Sequence, residues 1–168
     1  IYRSATNEVK KSSILKQKDF EEAKKTIEFI KQKKWNSALK SAAKVKDQEF
    51  RTLITWMHLK TTRNGASFNE YKKFIEQNED YPRINRIKYL AEEKIYLRNN
   101  SPSSIINWFE KNPPLGGLGK IKLAEAYLEQ KKFDKVEELI KDGWITAEIR
   151  KNDLGYYRAK FKKFITSD

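Results

Sequence analysis

The sequence predicts an all-α chain: antiparallel helix pairs stacked into a curved, tetratricopeptide-like superhelix. Two observations carry that expectation. Breakers are sparse, with 6 Gly and 4 Pro in 168 residues, while Lys, Glu, Ala, Leu and Ile abound. Apolar residues recur at helical spacing, and no alternating apolar-polar run lasts long enough to make a sheet. The stretch 107–133, NWFEKNPPLGGLGKIKLAEAYLEQKKF, compresses the pattern into one line: helix, hard stop, glycine-lined turn, helix, short turn, helix.

Residues 1–18 are polar and weakly periodic, and read as a basic, flexible arm that enters the first helix near Ser13. Residues 19–168 read as one helical domain. Asp19 and Glu22 form a capping-box pattern. Phe20, Ala23, Ile27 and Ile30 follow at helical spacing, with Glu21 and Lys25 as a supporting pair on the wet side. Lys33-Lys34 closes this helix, where the dipole favours cations. Trp35 opens a short helix with Ala38, Leu39 and Ala42 on one face. Asp47 caps a third, whose stripe is Phe50, Leu53, Ile54 and Met57, with Trp56 and Leu59 outside it. Apolar residues on two faces predict a helix packed on both sides.

After the turn Arg63-Asn64-Gly65, Ser67 and Glu70 make a second capping box ahead of Phe68, Tyr71, Phe74 and Ile75. Pro82 suits a first helical turn. Ile84, Ile87, Leu90, Ala91, Ile95 and Leu97 then predict a long helix to Asn99-Asn100. Ser101-Pro102 is an N-cap with proline at the first helical position, leading to Ile105, Ile106, Trp108 and Phe109. Pro113-Pro114 ends that helix. Further helices are expected over 118–130 and 133–141. The pattern weakens over 145–150 and returns through Tyr156, Tyr157, Phe161, Phe164 and Ile165. Helix starts at Trp35, Phe68, Ile105 and Phe133 lie 33, 37 and 28 positions apart. That is a degenerate repeat near the roughly 34-residue tetratricopeptide period. Such repeats stack because none buries its apolar face alone.

Net charge is +13, carried mostly by Lys spread along the chain, which favours a solvated basic surface over one focused anion site. Hydrophobic content of 38% allows a globular core, and no stretch reaches the roughly 20 apolar residues of a membrane span. Cysteine is absent, which excludes disulfides and thiolate metal sites. The chain begins at Ile1, as expected of either a processed product or a cut segment, with any signal peptide already gone.

One ordered set of residues adds a resemblance. Trp35-x-x-Ala38-Leu39-x-x-Ala42 is followed by Trp56, Phe68-x-x-Tyr71-x-x-Phe74, Tyr81-Pro82 and Ala91-Glu92. Trp108-Phe109, Pro113-Pro114, Gly119-x-x-x-Leu123-Ala124 and Trp144 complete it. From about Trp35 onward the chain resembles the N-terminal α-superhelical domain of soluble lytic murein transglycosylases. The resemblance implies a bacterial periplasmic enzyme that cleaves the bond between N-acetylmuramic acid and N-acetylglucosamine, leaving a 1,6-anhydro end. It implies that the chemistry belongs to one Glu, followed by Ser, in a separate C-terminal lysozyme-like domain. No Glu precedes a Ser here, so no catalytic residue carries over. The partners implied are peptidoglycan glycan strands and that catalytic domain.

The residues themselves supply no stronger chemistry. Glu21-Glu22, Glu92-Glu93 and Glu137-Glu138 are helix neighbours that point about 100° apart, so solvated or ion-paired faces are expected rather than a glycosidic pair. His58 is the only histidine and reads as a boundary residue without metal partners. Gly116-Gly117-Leu118-Gly119 lacks dinucleotide and phosphate-loop spacing, so close helix packing is the expectation, with an anion at the helix N-terminus as the alternative. Trp35, Trp56, Trp108 and Trp144 read as core rather than sugar platforms. The expectation is therefore a scaffold with no catalytic, cofactor or metal residues and with its ligand contacts unassigned. Its rivals are a tetratricopeptide-like protein-binding scaffold and a basic helical-repeat RNA-binding module. The second is disfavoured because Lys rather than Arg dominates.

Overall fold

A computed structural model describes residues 14–165, so most of the arm expected over 1–18, including the entry at Ser13, lies outside the described residues. The described residues form ten helices and no strand: α1 (Gln17–Lys31), α2 (Trp35–Ala42), α3 (Gln48–Leu59), α4 (Phe68–Gln77), α5 (Ile84–Glu92), α6 (Pro102–Lys111), α7 (Gly117–Glu129), α8 (Phe133–Gly143), α9 (Lys151–Lys160) and α10 (Lys162–Ile165). They fall into two compact units, one ending at Thr61 and the next beginning at Thr62.

In the first unit α1 packs on α2, and α2 on α3. Small side chains make up much of its core: Ala23, Ala38, Ala42 and Val45 are buried, as are the larger Ile54 and Leu59. Close backbone approach leaves polar ties to fix the register. Asp19 does not cap α1, which begins two residues earlier behind Lys16. Its buried carboxylate instead accepts the backbone N–H groups of Lys46 (3.0 Å) and Asp47 (3.2 Å), tying the start of α1 to the chain beyond α2. Arg51 donates to the carbonyls of Val45 (2.6 Å) and Lys46 (3.0 Å) and holds α3 to the same segment. The inward stripe of α1 is Asp19, Ala23 and Thr26, and Ile27 is left 39% exposed. Thr26 tolerates complete burial because its hydroxyl donates to the Glu22 carbonyl. Glu21 pairs with Lys24, and Glu22 with Lys25, rather than Glu21 with Lys25. Asp47 caps α3 through the Phe50 N–H at 2.7 Å. Ile54, His58 and Leu59 are buried along that helix, whereas Leu53 is 41% exposed.

The second unit packs α4 on α5, and α6 and α8 on α7, which also touches α5. The Ser67–Glu70 capping box is complete in both directions, and Phe68, Tyr71, Phe74 and Ile75 are buried behind it. Ser101 caps α6 with Pro102 in the first turn, and Ile105, Ile106, Trp108 and Phe109 all face inward. The long helix expected after Pro82 is instead the nine-residue α5. Pro82 stands in a turn ahead of it, and Arg83 (φ 56°) precedes its first residue. Beyond Glu92 the chain turns, with Lys94 N–H donating to the Ala91 carbonyl at 2.9 Å. Ile95 is fully buried within those turns, so the apolar rhythm outlasts the helix. Residues 121–126 of α7 are buried without interruption, as a helix with neighbours on several sides requires.

The α1–α2 and α7–α8 connections are the same motif. Gln32-Lys33-Lys34 runs into Trp35, and Gln130-Lys131-Lys132 into Phe133. Lys33 (φ 58°) and Lys131 (φ 57°) are left-handed. Lys33 and Lys131 donate to the carbonyls of Ile30 and Leu128, each at 2.9 Å. Lys34 and Lys132 reach back to those of Phe29 (2.9 Å) and Tyr127 (3.0 Å). Both are Schellman closures, and the residue that completes each, Lys34 or Lys132, stands at the N-cap position of the next helix without a side-chain cap. Ala38 and Val136, each three residues beyond the aromatic start, are fully buried.

A left-handed lysine carries a Cβ penalty that glycine lacks. Lys131→Gly is expected to stabilise the protein by about 0.5–1 kcal/mol after the added freedom of the unfolded chain, read as a higher melting temperature. Trp108 is 4% exposed and meets Phe68 edge-on at 5.3 Å. Trp108→Ala is expected to cost roughly 3–5 kcal/mol in denaturant unfolding.

Candidate functional site

The second unit carries an open cleft of about 500 Å³. Along α5, Arg86, Tyr89, Leu90 and Glu93 recur at helical spacing on one wall. Glu148 and Arg150, from the segment after α8, also line it, with Gly116 at the entrance to α7. The Arg86 guanidinium lies 5.3 Å from the Tyr89 ring centroid. Glu93 and Arg150, both lining the cleft, form an ion pair.

Glu92 departs furthest from the expected wet face. It is 4% exposed and forms no ion pair among the described residues. Its carboxylate accepts the N–H groups of Leu115 (2.9 Å) and Gly116 (3.0 Å), just ahead of the first turn of α7. It is an N-terminal cap supplied from another helix, placed where the α7 dipole favours an anion. Burial pushes its carboxyl up to about 7, against the opposing pull of those backbone donors. The adjacent Glu93 does follow expectation, with its charge on Arg150. Glu137 and Glu138 are exposed, also as expected.

The glycine cluster is explained by the same contact. A Cβ on Gly119 would overlap the Glu92 carboxylate. One on Gly117 would stand 2.6 Å from the backbone nitrogen of Ala147 and 2.7 Å from the Gly143 carbonyl. One on Gly116 would meet the Tyr89 ring at 2.7 Å. These residues serve close packing, and the group held at this helix start is the Glu92 carboxyl.

A second polar cluster lies along α7. Lys122 is 3% exposed, with its ammonium 3.7 Å from the Tyr96 ring centroid and 5.7 Å from that of Tyr157. Burial lowers its pKa to about 8, partly offset by Glu125. Lys160 approaches Glu125 at 3.6 Å and Glu129 at 2.9 Å. Cation–π contact is worth about 2 kcal/mol when desolvated, which helps the cation remain inside. His58 is buried rather than at a boundary, its ring 5.2 Å from Trp35. Of the four tryptophans, Trp108 is buried and Trp35, Trp56 and Trp144 are half-buried. Trp144 packs against the cluster of Ile121, Val136, Ile140 and Phe161. No group of acidic, His or Cys side chains among the described residues is arranged to hold a metal. No described helix is long and apolar enough to cross a membrane.

The sequence places Glu92 on a solvated or ion-paired face because its doubled neighbour Glu93 suggests one, whereas Glu92 is buried. The available signal was the pairing of a glutamate at the end of an apolar stripe with a glycine-rich helix start downstream. No family model matches the chain, and neither a curated protein nor a solved structure matches it.

Glu92 titrates at about 7 against an ordinary 4.5, so its ionisation opposes folding. Its stabilising contribution is complete below the unfolded value and is lost as pH rises through the folded one. Glu92→Gln removes that titration. The stability of the variant relative to the parent is therefore expected to rise between pH 5 and pH 8 in urea melts. Parallel profiles would contradict the assignment.

Proposed function

We propose that this chain is a non-catalytic helical scaffold that positions murein strands for a lytic transglycosylase. Cleavage of the N-acetylmuramic acid to N-acetylglucosamine bond belongs, in this reading, to a separate lysozyme-like domain, and the setting is the bacterial periplasm. The helix pairs would stack into a tetratricopeptide-like superhelix. The sequence resemblance points toward that family, and the repeated aromatic-led hairpin supports the helical-repeat character.

The observation that carries the reading is the α5 cleft. Tyr89 is 36% exposed on its wall. An exposed tyrosine beside the Arg86 guanidinium and the Glu148 carboxylate, with Arg150 and Glu93 paired to each other, suits a ligand with sugar faces, amides and scattered charges. Murein glycan with its stem peptides has that mixture. Glu92 is not a proton donor to such a ligand, because its oxygens are committed to the α7 entrance. Its elevated pKa reflects burial at a structural tie.

A tetratricopeptide-like protein-binding scaffold is the second reading, favoured by the recurrence of Gln-Lys-Lys-aromatic in both Schellman hairpins. The two readings differ in what they retain. Purified sacculi incubated with the protein at physiological salt are expected to retain it, and Tyr89→Ala with Arg86→Gln to weaken retention without altering the far-UV spectrum. No retention would remove murein binding and leave the protein-scaffold reading.

A further inference from the structure

A second pocket, of about 340 Å³, lies beside the start of α4 and differs in charge from the α5 cleft. None of its lining side chains is a carboxylate. Lys94 and Arg98 bring positive charge, and Asn69, Asn99 and Asn100 bring amides. Tyr96 lies among them, with the Arg98 guanidinium 4.1 Å from its ring centroid. The buried Lys122 adds a further cation on that ring.

Three of the neighbouring acids are already engaged, while Asp153 also faces Lys122. Glu70 has an oxygen on the Ser67 N–H at 2.6 Å, within the α4 capping box. Glu93 is paired with Arg150, and Glu125 faces Lys160. Lys94 donates one hydrogen bond to the Asn64 carbonyl at 2.6 Å, which fixes the ammonium beside the pocket. An ammonium has three donors, so its capacity is not exhausted.

We propose that this pocket binds the free carboxylate end of a peptide. A guanidinium offers a planar fork that matches a carboxylate and forms strong charge-assisted hydrogen bonds. The exposed Asn69 and Asn99 distinguish a peptide from phosphate, whereas the Asn100 amide nitrogen already donates to the Tyr96 carbonyl at 3.2 Å. Each amide both donates and accepts, so it can pair with peptide N–H and C=O groups alike. A phosphate dianion is mainly an acceptor and would leave the amide oxygens unused. The half-buried Tyr96 provides an apolar edge for the adjoining side chain.

Titration followed by NMR of the Asn69 and Asn99 side-chain amides tests the site with three probes: tri-alanine with a free carboxylate, tri-alanine amide, and inorganic phosphate. Saturable shifts are expected with the free acid, and affinity roughly tenfold lower with the amide, the size of one lost charge-assisted contact. Arg98→Gln and Asn99→Ala change exposed residues, so the fold should persist, and each is expected to weaken the free acid. Equal binding of acid and amide, no saturable shift, or indifference to Arg98→Gln would overturn the proposal. Phosphate binding as tightly as the free acid would overturn the peptide assignment. Free peptide tests the pocket whether or not the chain retains murein.

Discussion

A buried carboxylate at a helix entrance organises the second unit. Glu92 closes α5, and its oxygens receive the Leu115 and Gly116 N–H groups ahead of α7. Removing an acid from water is costly unless donors replace the lost hydration. The α7 entrance supplies them, and without Glu92 those N–H groups would be among the orphan donors of a helix start. Each element thus satisfies a deficit in the other. The glycines at 116, 117 and 119 allow the approach, because a Cβ at any of them would enter the Tyr89 ring, the chain after α8 or the carboxylate itself. The cleft follows from this geometry: α5 is held at the α7 entrance, and its next turn outward presents Tyr89 and Arg86.

The first unit meets the same problem with different residues. Asp19 takes the N–H groups of Lys46 and Asp47 across the α1–α2 pair. Here too a carboxylate on one helix terminates a distant loop, while small side chains let the backbones come close. The Schellman turns at Lys33 and Lys131 then reverse the chain within three residues. Lysine at a left-handed position is a local conflict tolerated because both surrounding helices are packed.

Local chemistry was readable where its partners lie within a few positions. Ser67 with Glu70, Ser101 with Pro102, and Asp47 with Phe50 define their helix starts as expected, and the apolar stripes of α4 and α6 are buried as read. Failures came from longer contacts. Asp19 resembles a cap locally, but its partners are 27 and 28 residues away. Glu92 finds its donors 23 and 24 residues on. Ile95 kept the helical rhythm while lying in a turn, so α5 seemed twice its length. Ile27 yielded the inward position to Thr26, whose hydroxyl is satisfied within its own helix. The cleft and the amide-lined pocket join residues from separate elements, and no single stretch of sequence displays them.

The Glu92 contact is most directly measured by amide hydrogen exchange at Leu115 and Gly116. Both lie before the first intrahelical bonds of α7, where uncapped amides exchange quickly. If the carboxylate holds them, they exchange slowly, with protection comparable to the middle of α7. Exchange at the rate of an open loop would show that the two helices are not joined in this way.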